Sequence, residues 1–140
     1  MVSACLLGIK CRYDGKSKPN RKILALAKSE ILLPVCPEQL GGLPTPRPRA
    51  EIIGKSGRTI KVFGEKGEDL TANFQKGAEE TLRIAKLFKI KEAIFKQKSP
   101  SCGCGKIHNG TFSGKVIKGD GITTALLKKN KIRVNSEEEL

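Results

Sequence analysis

Short apolar runs alternate with helical patterns along the chain, and this alternation limits the folds it can adopt more than any other feature. Four runs have the length and composition of strands: residues 2–7, "ILLPVC", "EAIFKQ" and "IRVNS". Between them, apolar residues recur at helical spacing. Strands that alternate with helices are typical of an α/β fold with a mostly parallel sheet.

Three helices are predicted. The clearest pattern follows Asp69 and consists of Phe74, Ala78, Leu82, Ala85 and Phe88. A second helix begins at Pro19 or Asn20, and a short third helix is capped by Asp120. Their expected buried residues are Ile23, Leu24 and Ala27 in the second helix and Ile122, Ala125 and Leu126 in the third.

Two segments interrupt the alternation. The segment "EIIGKSGRTIKVFG" has two β-rich halves around residues 55–57, which predicts a hairpin. The segment "PEQLGGLPTPRPRAEI" holds four prolines and two glycines, so we expect a functional loop without regular structure. The prediction is a single α/β domain over residues 1–140. Its small, mostly parallel sheet is flanked by helices in a Rossmann-like arrangement, with an inserted β-hairpin.

The charge of the chain favours anionic partners. Lysine and arginine number 27 against 14 acidic residues, a formal net charge of +13. Such an excess suits RNA, DNA or phosphorylated metabolites. Aromatic residues make up only 4% of the chain, which argues against a dedicated stacking platform for single-stranded nucleic acid.

No segment has the features of a secretory signal peptide or a membrane-spanning helix. We therefore expect a cytoplasmic protein without a membrane partner. The chain has five cysteines. In a reducing compartment they indicate metal binding or catalysis more than disulfide bonds.

Three of these cysteines follow predicted strands. Cys5, Cys36 and Cys102 each lie at or just past the carboxyl end of a strand. In a parallel sheet those ends share one edge, where α/β proteins bind their ligands. The sequence therefore predicts that three thiols from distant segments converge on one site.

Spacing alone leaves the chemistry of that site open. A phosphate-binding P-loop is disfavoured, because "GIKCRYDGKS" has too many residues between its glycines. A zinc site could draw on Cys5, Cys11, Cys102, Cys104 and His108, although no pair has C-x-x-C spacing. A redox dithiol at Cys102 and Cys104, an iron–sulfur cluster, and plain buried thiols stay open as alternatives.

Longer motifs carry a resemblance. They are "SACLLG…CRYDGKSK", "CPEQLGGLPTPRPRAEI", "SPSCG…GTFSGKVIKGDGITTALL" and "VNSEEEL". In this order they resemble a family of small bacterial and archaeal proteins, formerly a domain of unknown function, that includes thiouracil desulfidases. The resemblance implies a [4Fe–4S] cluster on three cysteines, which match Cys5, Cys36 and Cys102. Cys11 and Cys104 lie beside the motifs, and a ligand set that includes Cys104 stays open.

The resemblance also implies a reaction. The fourth iron has no protein ligand and binds the sulfur of a thiolated pyrimidine as a Lewis acid. A water activated by a carboxylate then attacks the carbon, and sulfur leaves as hydrosulfide without net oxidation. The expected catalytic residues are Glu38 as base and Ser101 as an orienting group. The expected substrate-binding residues are Asp14, Arg47, Arg49, Glu51 and Lys98, with Asp14 and Glu51 as reserve acids.

The sequence departs from the family after "SPSCGCGKI". It reads "HNG" where the family is expected to have an aromatic residue, Asp and Gly. His108 and Asn109 therefore bear on the substrate pocket more than on the cluster.

The predicted function is a cluster-dependent, non-redox desulfidase, a hydrolase-type enzyme that cleaves C–S bonds. Its expected substrates are 2- and 4-thiouracil, 4-thiouridine and thiolated tRNA. The alternative is a zinc-stabilised, basic RNA-binding module without catalysis. Sequence leaves open whether the protein is a monomer or a dimer.

Overall fold

The computed structural model describes residues 1–54 and 60–140, which form eight strands. They are β1 (Val2–Ser3), β2 (Pro34–Val35), β3 (Ala50–Ile53), β4 (Lys61–Gly64), β5 (Glu92–Phe95), β6 (Lys106–His108), β7 (Val116–Lys118) and β8 (Arg133–Ser136). Four of them form one sheet in the order β2-β1-β5-β8. Every neighbouring pair in this sheet is parallel. The predicted α/β fold with a small parallel sheet is confirmed.

Four α-helices accompany the strands in the described part of the chain. They are α1 (Arg21–Leu26), α2 (Pro37–Leu40), α3 (Thr71–Leu87) and α4 (Ile122–Lys129). Two 3₁₀-helices span Ala4–Leu7 and Glu137–Glu139. None of the helices in residues 1–54 and 60–140 is long and apolar enough to cross a bilayer.

Glycines let helices α2 and α3 approach closely. A β-carbon added at Gly77 of α3 would lie 1.9 Å from the carbonyl oxygen of Pro37. One added at Gly41 would lie 2.0 Å from the carbonyl oxygen of Asn73. Both positions therefore exclude a side chain, and α2 is held tightly against the long helix.

The first predicted strand is shorter than expected. β1 ends at Ser3, and the chain turns at once into a 3₁₀-helix. Gly8 closes this turn with a φ of 91°, and its amide donates to the carbonyl of Cys5 at 3.2 Å. Cys5 therefore lies in a turn at the carboxyl edge of the sheet and not in a strand.

Helix α1 begins as predicted but buries a different set of residues. The Asn20 side chain accepts from the amides of Lys22 and Ile23, as a capping residue does. Ile23 is fully buried, whereas Leu24 and Ala27 are exposed. Only one member of the predicted apolar face therefore packs inward.

The buried face of α4 also differs from the prediction. Gly121 is the N-cap, and the buried residues are Thr123, Thr124 and Leu127, while Ala125 is exposed. The Asp120 carboxylate accepts instead from the amide of Gly105 at 2.8 Å.

Two antiparallel hairpins stand apart from the main sheet. β3 and β4 form the predicted hairpin, although its proposed turn at residues 55–57 lies outside the described residues. β6 and β7 form a second hairpin that the sequence did not indicate. The proline-rich segment, expected to lack regular structure, contains α2.

Candidate functional site

A cavity of about 390 Å³ lies at the carboxyl edge of the sheet, beyond β1, β2 and β5. The three predicted cysteines, Cys5, Cys36 and Cys102, all line it. Ligands of open α/β sheets bind at this edge. The structure thus brings together three thiols that are far apart in the sequence.

Local structure positions each thiol. Cys5 sits in the 3₁₀ turn after β1, and Cys36 is the N-cap residue of α2 directly after β2. Cys102 lies in the loop after β5, where its amide donates to the Ser99 hydroxyl at 3.0 Å. Its carbonyl accepts from the Thr124 hydroxyl at 2.8 Å. Loops anchored in this way hold the sulfur atoms at defined places.

Two of the three thiols, those of Cys36 and Cys102, have a raised pKa in this environment. The neighbouring Cys11 thiol, and then burial, raise the pKa of Cys36 well above its usual range. Burial likewise raises the pKa of Cys102. Metals bind the deprotonated thiolate, so metal loading at these positions must release protons.

The two remaining cysteines have different surroundings. Cys11 lines the same cavity and is only 2% exposed. Its carbonyl oxygen lies 3.6 Å from the Cys36 sulfur. Cys104 lies in the hydrophobic core, where its thiol donates to the Val134 carbonyl at 3.2 Å. Cys11, rather than Cys104, is therefore the fourth thiol at the cavity.

Glu38 and Arg47 form an ion pair on the cavity wall. The Arg47 Nε lies 2.6 Å from Glu38 Oε2, and the Arg47 side chain is 2% exposed. Arg47 Nη2 also donates to the Cys11 carbonyl at 2.7 Å and approaches the Cys36 sulfur at 3.8 Å. Among the described residues, Glu38 supplies the one carboxylate of the cavity lining.

The hydroxyl of Ser101 already has a protein partner. Ser101 lines the cavity but is 1% exposed, and its Oγ lies 2.8 Å from the Thr123 hydroxyl. A hydroxyl can donate one hydrogen bond and accept two, so Ser101 retains capacity for a substrate or water.

Basic side chains surround the thiols. The cavity-lining cations are Arg12, Lys18, Arg47, Arg49, Lys96 and Lys98. Lys98 has a φ of 65°, a left-handed conformation that is uncommon outside glycine. Its amide donates to the Gln97 side chain at 3.3 Å. Such residues cluster at functional sites, where the surrounding structure enforces them.

Two of the predicted acids lie elsewhere. Asp14 is exposed and does not line the cavity, although its ion-pair partner Arg12, at 3.3 Å, does. Glu51 is 1% exposed and accepts from the amides of Gly110 and Phe112 at 3.0 and 3.2 Å. Glu51 therefore joins β3 to the second hairpin and does not face the cavity.

Sequence reasoning missed a buried polar network beneath the cysteine loop. Glu137 accepts from the Lys96 ammonium at 2.6 Å and from the Gln97 amide at 2.7 Å. The Gln97 side chain in turn bonds the amide and carbonyl of Cys104, at 2.9 and 2.8 Å. Glu137 belongs to the closing motif "VNSEEEL", so this motif was the feature of the sequence that could have indicated the network.

The cysteines do not form a site for a single ion. Within residues 1–54 and 60–140, no three histidine, cysteine or acidic side chains are placed to ligate one metal. A structural zinc site needs four ligands around one ion. The arrangement therefore gives no support to the zinc-stabilised module, whereas a multi-iron cluster can be ligated at separate iron atoms.

Comparison with known proteins identifies the family. A family model described as 2-thiouracil desulfurase matches residues 1–139. The chain belongs to this family. The resemblance inferred from the motifs is thus confirmed.

The chain is also similar to two known proteins. The chain is 48% identical over 145 residues to YbbK of Bacillus subtilis strain 168, described as uncharacterized, across 100% of this chain and 96% of the relative. A solved structure of the [4Fe-4S]-dependent thiouracil desulfidase TudS has a TM-score of 0.90 and 48% identity. That match covers 99% of this chain and 90% of the solved one.

Proposed function

We propose that this protein is an enzyme that removes sulfur from thiolated uracil compounds, using a [4Fe–4S] cluster held by Cys5, Cys36 and Cys102. One observation carries the proposal: three thiols from distant segments and a carboxylate line the same cavity. Membership of the desulfurase family and the likeness to a [4Fe-4S]-dependent thiouracil desulfidase support it.

The residues at the cavity suit such a cluster. Cysteine sulfur is the ordinary ligand of iron–sulfur clusters. The Arg47 guanidinium, 3.8 Å from the Cys36 sulfur, would offset the negative charge of the thiolates. With three protein ligands for four irons, the bound cluster would supply a Lewis acid for the sulfur of the substrate.

Glu38 is the proposed general base. One oxygen, Oε2, is engaged by Arg47, whereas Oε1 has no hydrogen bond to protein in the described part of the chain. Oε1 would take a proton from water as the water oxygen bonds to the thiolated carbon. The C–S bond then breaks with its electron pair on sulfur, the proton of the added hydroxyl passes to that sulfur, and hydrosulfide leaves. Glu38 releases its proton to solvent and becomes a carboxylate again. The uracil carbonyl replaces the thiocarbonyl, so the reaction is a hydrolysis without an electron donor.

Other residues of the lining would bind and orient the substrate. Ser101 would hold the water or a pyrimidine carbonyl through its hydroxyl. Arg49 and Lys98 would contact phosphate when the substrate is a nucleotide or thiolated tRNA. The net charge of +13 favours such polyanions, and 4-thiouridine in tRNA belongs to the proposed substrate range together with the free bases. We propose a cytoplasmic location for this activity.

A paired cysteine experiment tests the proposal. The protein is reconstituted with iron and sulfide under anaerobic conditions, and iron and released sulfide are measured with 2- and 4-thiouracil, 4-thiouridine and thiolated tRNA. We expect about four irons per chain in the wild type. Cys102→Ser should lose the cluster and the activity.

Cys104→Ser is the matched control for this experiment. Cys104 lies two residues away but outside the cavity lining, so the variant should retain iron and turnover. Equal iron loss in both variants, or a wild type that binds zinc and no iron, would contradict the proposal.

A further inference from the structure

The single histidine of the chain lies at the cavity. His108 ends strand β6, is partly exposed, and is one of the residues that line the cavity. The mechanism proposed above gives it no task.

Neither ring nitrogen of His108 is hydrogen-bonded to protein in the described part of the chain. Its Nδ1 atom is buried there without any hydrogen-bond partner. Leaving a buried polar atom unpaired destabilises the fold, and such atoms in native structures call for an explanation. A ring kept for structural reasons would be expected to have a partner.

The backbone, rather than the side chain, holds this ring in place. His108 pairs with Val116 in the hairpin register, and the preceding Ile107 bridges to Lys98 in the cysteine loop. On the other side, the Gly110 amide donates to buried Glu51 at 3.0 Å. The fold thus fixes the backbone of His108 at the cavity, and both ring nitrogens lack a hydrogen bond to the described residues.

We propose that His108 determines specificity by hydrogen bonding to the polar edge of the pyrimidine. This inference rests on the proposed function and names the part of the substrate that is read. A neutral imidazole offers one donor and one acceptor. A pyrimidine edge offers both a carbonyl acceptor and an N–H donor, so Nε2 finds a partner there in either tautomer of the neutral ring. The substrate therefore supplies a partner for Nε2, the ring nitrogen that has no hydrogen bond to protein and is not among the buried atoms of the described residues.

Three substitutions separate this role from a structural one. His108→Phe keeps a ring and removes both nitrogens. His108→Asn retains a polar group near the position of Nδ1, and His108→Gln retains one near that of Nε2. For each, we would measure the melting temperature without substrate, kcat and KM for 4-thiouracil, and calorimetric binding of uracil to the cluster-loaded protein.

The expected signature is a change in binding without a loss of stability. His108→Phe should leave the melting temperature unchanged or raise it, because an unpaired buried nitrogen disappears. It should raise KM and weaken uracil binding by roughly tenfold, the size of one lost hydrogen bond, with kcat within about twofold of wild type. One of the two amide variants should recover most of the affinity and identify the nitrogen involved.

Val116→Thr is the matched control, because Val116 faces His108 across the hairpin but lies outside the cavity lining. It should leave KM unchanged. Unaltered KM and uracil affinity in His108→Phe would overturn the inference, as would a fall in melting temperature that accompanies losses in both kcat and KM. A wild type without iron or sulfide release would instead contradict the proposed function itself.

Discussion

Two arginine–glutamate pairs of the same composition have opposite roles in the proposed reaction. Arg47 and Glu38 meet at 2.6 Å on the cavity wall, and Arg49 and Glu51 meet at 3.4 Å where β3 joins the second hairpin. Glu51 has both oxygens engaged, Oε1 by two backbone amides and Oε2 by Arg49. Glu38 has only Oε2 engaged among the described residues.

If Glu38 is the base, as we propose, burial does not identify the reactive carboxylate. The Glu51 side chain is 1% exposed and that of Glu38 is 14% exposed, so the more buried acid is the structural one. A better criterion for a general base is a carboxylate oxygen that faces a cavity and accepts no hydrogen bond from protein. A carboxylate with every oxygen satisfied stabilises the fold, whereas one with a free oxygen can accept a proton from water.

The largest expected effect separates the two acids by activity. Glu38→Gln should lower the rate of sulfide release by about 10²–10⁴-fold, because an amide cannot take the proton from water. Iron per chain should match the wild type, so the rate is compared per cluster-loaded molecule. Full turnover in this variant would show that another group is the base.

The second effect concerns the arginine of the reactive pair. Arg47→Met would leave the Glu38 carboxylate without its ion-pair partner and the Cys11 carbonyl without its donor at 2.7 Å. Removal of one partner from a buried ion pair costs about 3–5 kcal/mol, and we expect a loss of this size in the free energy of unfolding. Chemical denaturation of the cluster-free protein measures it. A loss below about 1 kcal/mol would mean that the pair contributes little to the fold.

The third effect is on stability alone. Glu51→Gln should lower the free energy of unfolding by about 1–3 kcal/mol. The NH₂ group of the glutamine is a donor, and it would face either the Arg49 guanidinium or a backbone amide, which are donors to the wild-type carboxylate. Sulfide release per folded molecule should stay near the wild-type value, the reverse of the result for Glu38→Gln. Strong loss of turnover with unchanged stability would instead place Glu51 in the reaction.

Sequence patterns predicted the sheet and the cysteine site because both follow from strand periodicity. Cys5, Cys36 and Cys102 each lie at or just past the carboxyl end of a predicted strand, and parallel strands bring these ends to one edge. The position of Cys11 could not be predicted in this way. It depends on a contact between distant loops, in which the Arg47 amide donates to the Tyr13 carbonyl at 2.9 Å.

The differences between the predicted and observed positions of several polar residues have a common physical cause. Their side chains form hydrogen bonds with partners that are distant in the sequence. Thr123 and Thr124 are buried in α4 because their hydroxyls bond Ser101 and the Cys102 carbonyl, both at 2.8 Å. A hydropathy pattern places threonine at the surface, because it cannot show that the hydroxyl has a buried hydrogen-bond partner. Glu51 was expected near the substrate for the same reason, since its backbone partners lie 59 and 61 positions further along the chain.

The smallest effect tests the arginine of the structural pair, which also lines the cavity. Arg49→Gln should lower the free energy of unfolding by less than about 1 kcal/mol, since its side chain is 33% exposed and such pairs are weak. If Arg49 contacts phosphate, KM should rise for thiolated tRNA and stay unchanged for uncharged 4-thiouracil. The salt dependence of tRNA binding should also become less steep, because one phosphate contact is lost. An equal rise in KM for both substrates would show instead that Arg49 shapes the pocket for the base.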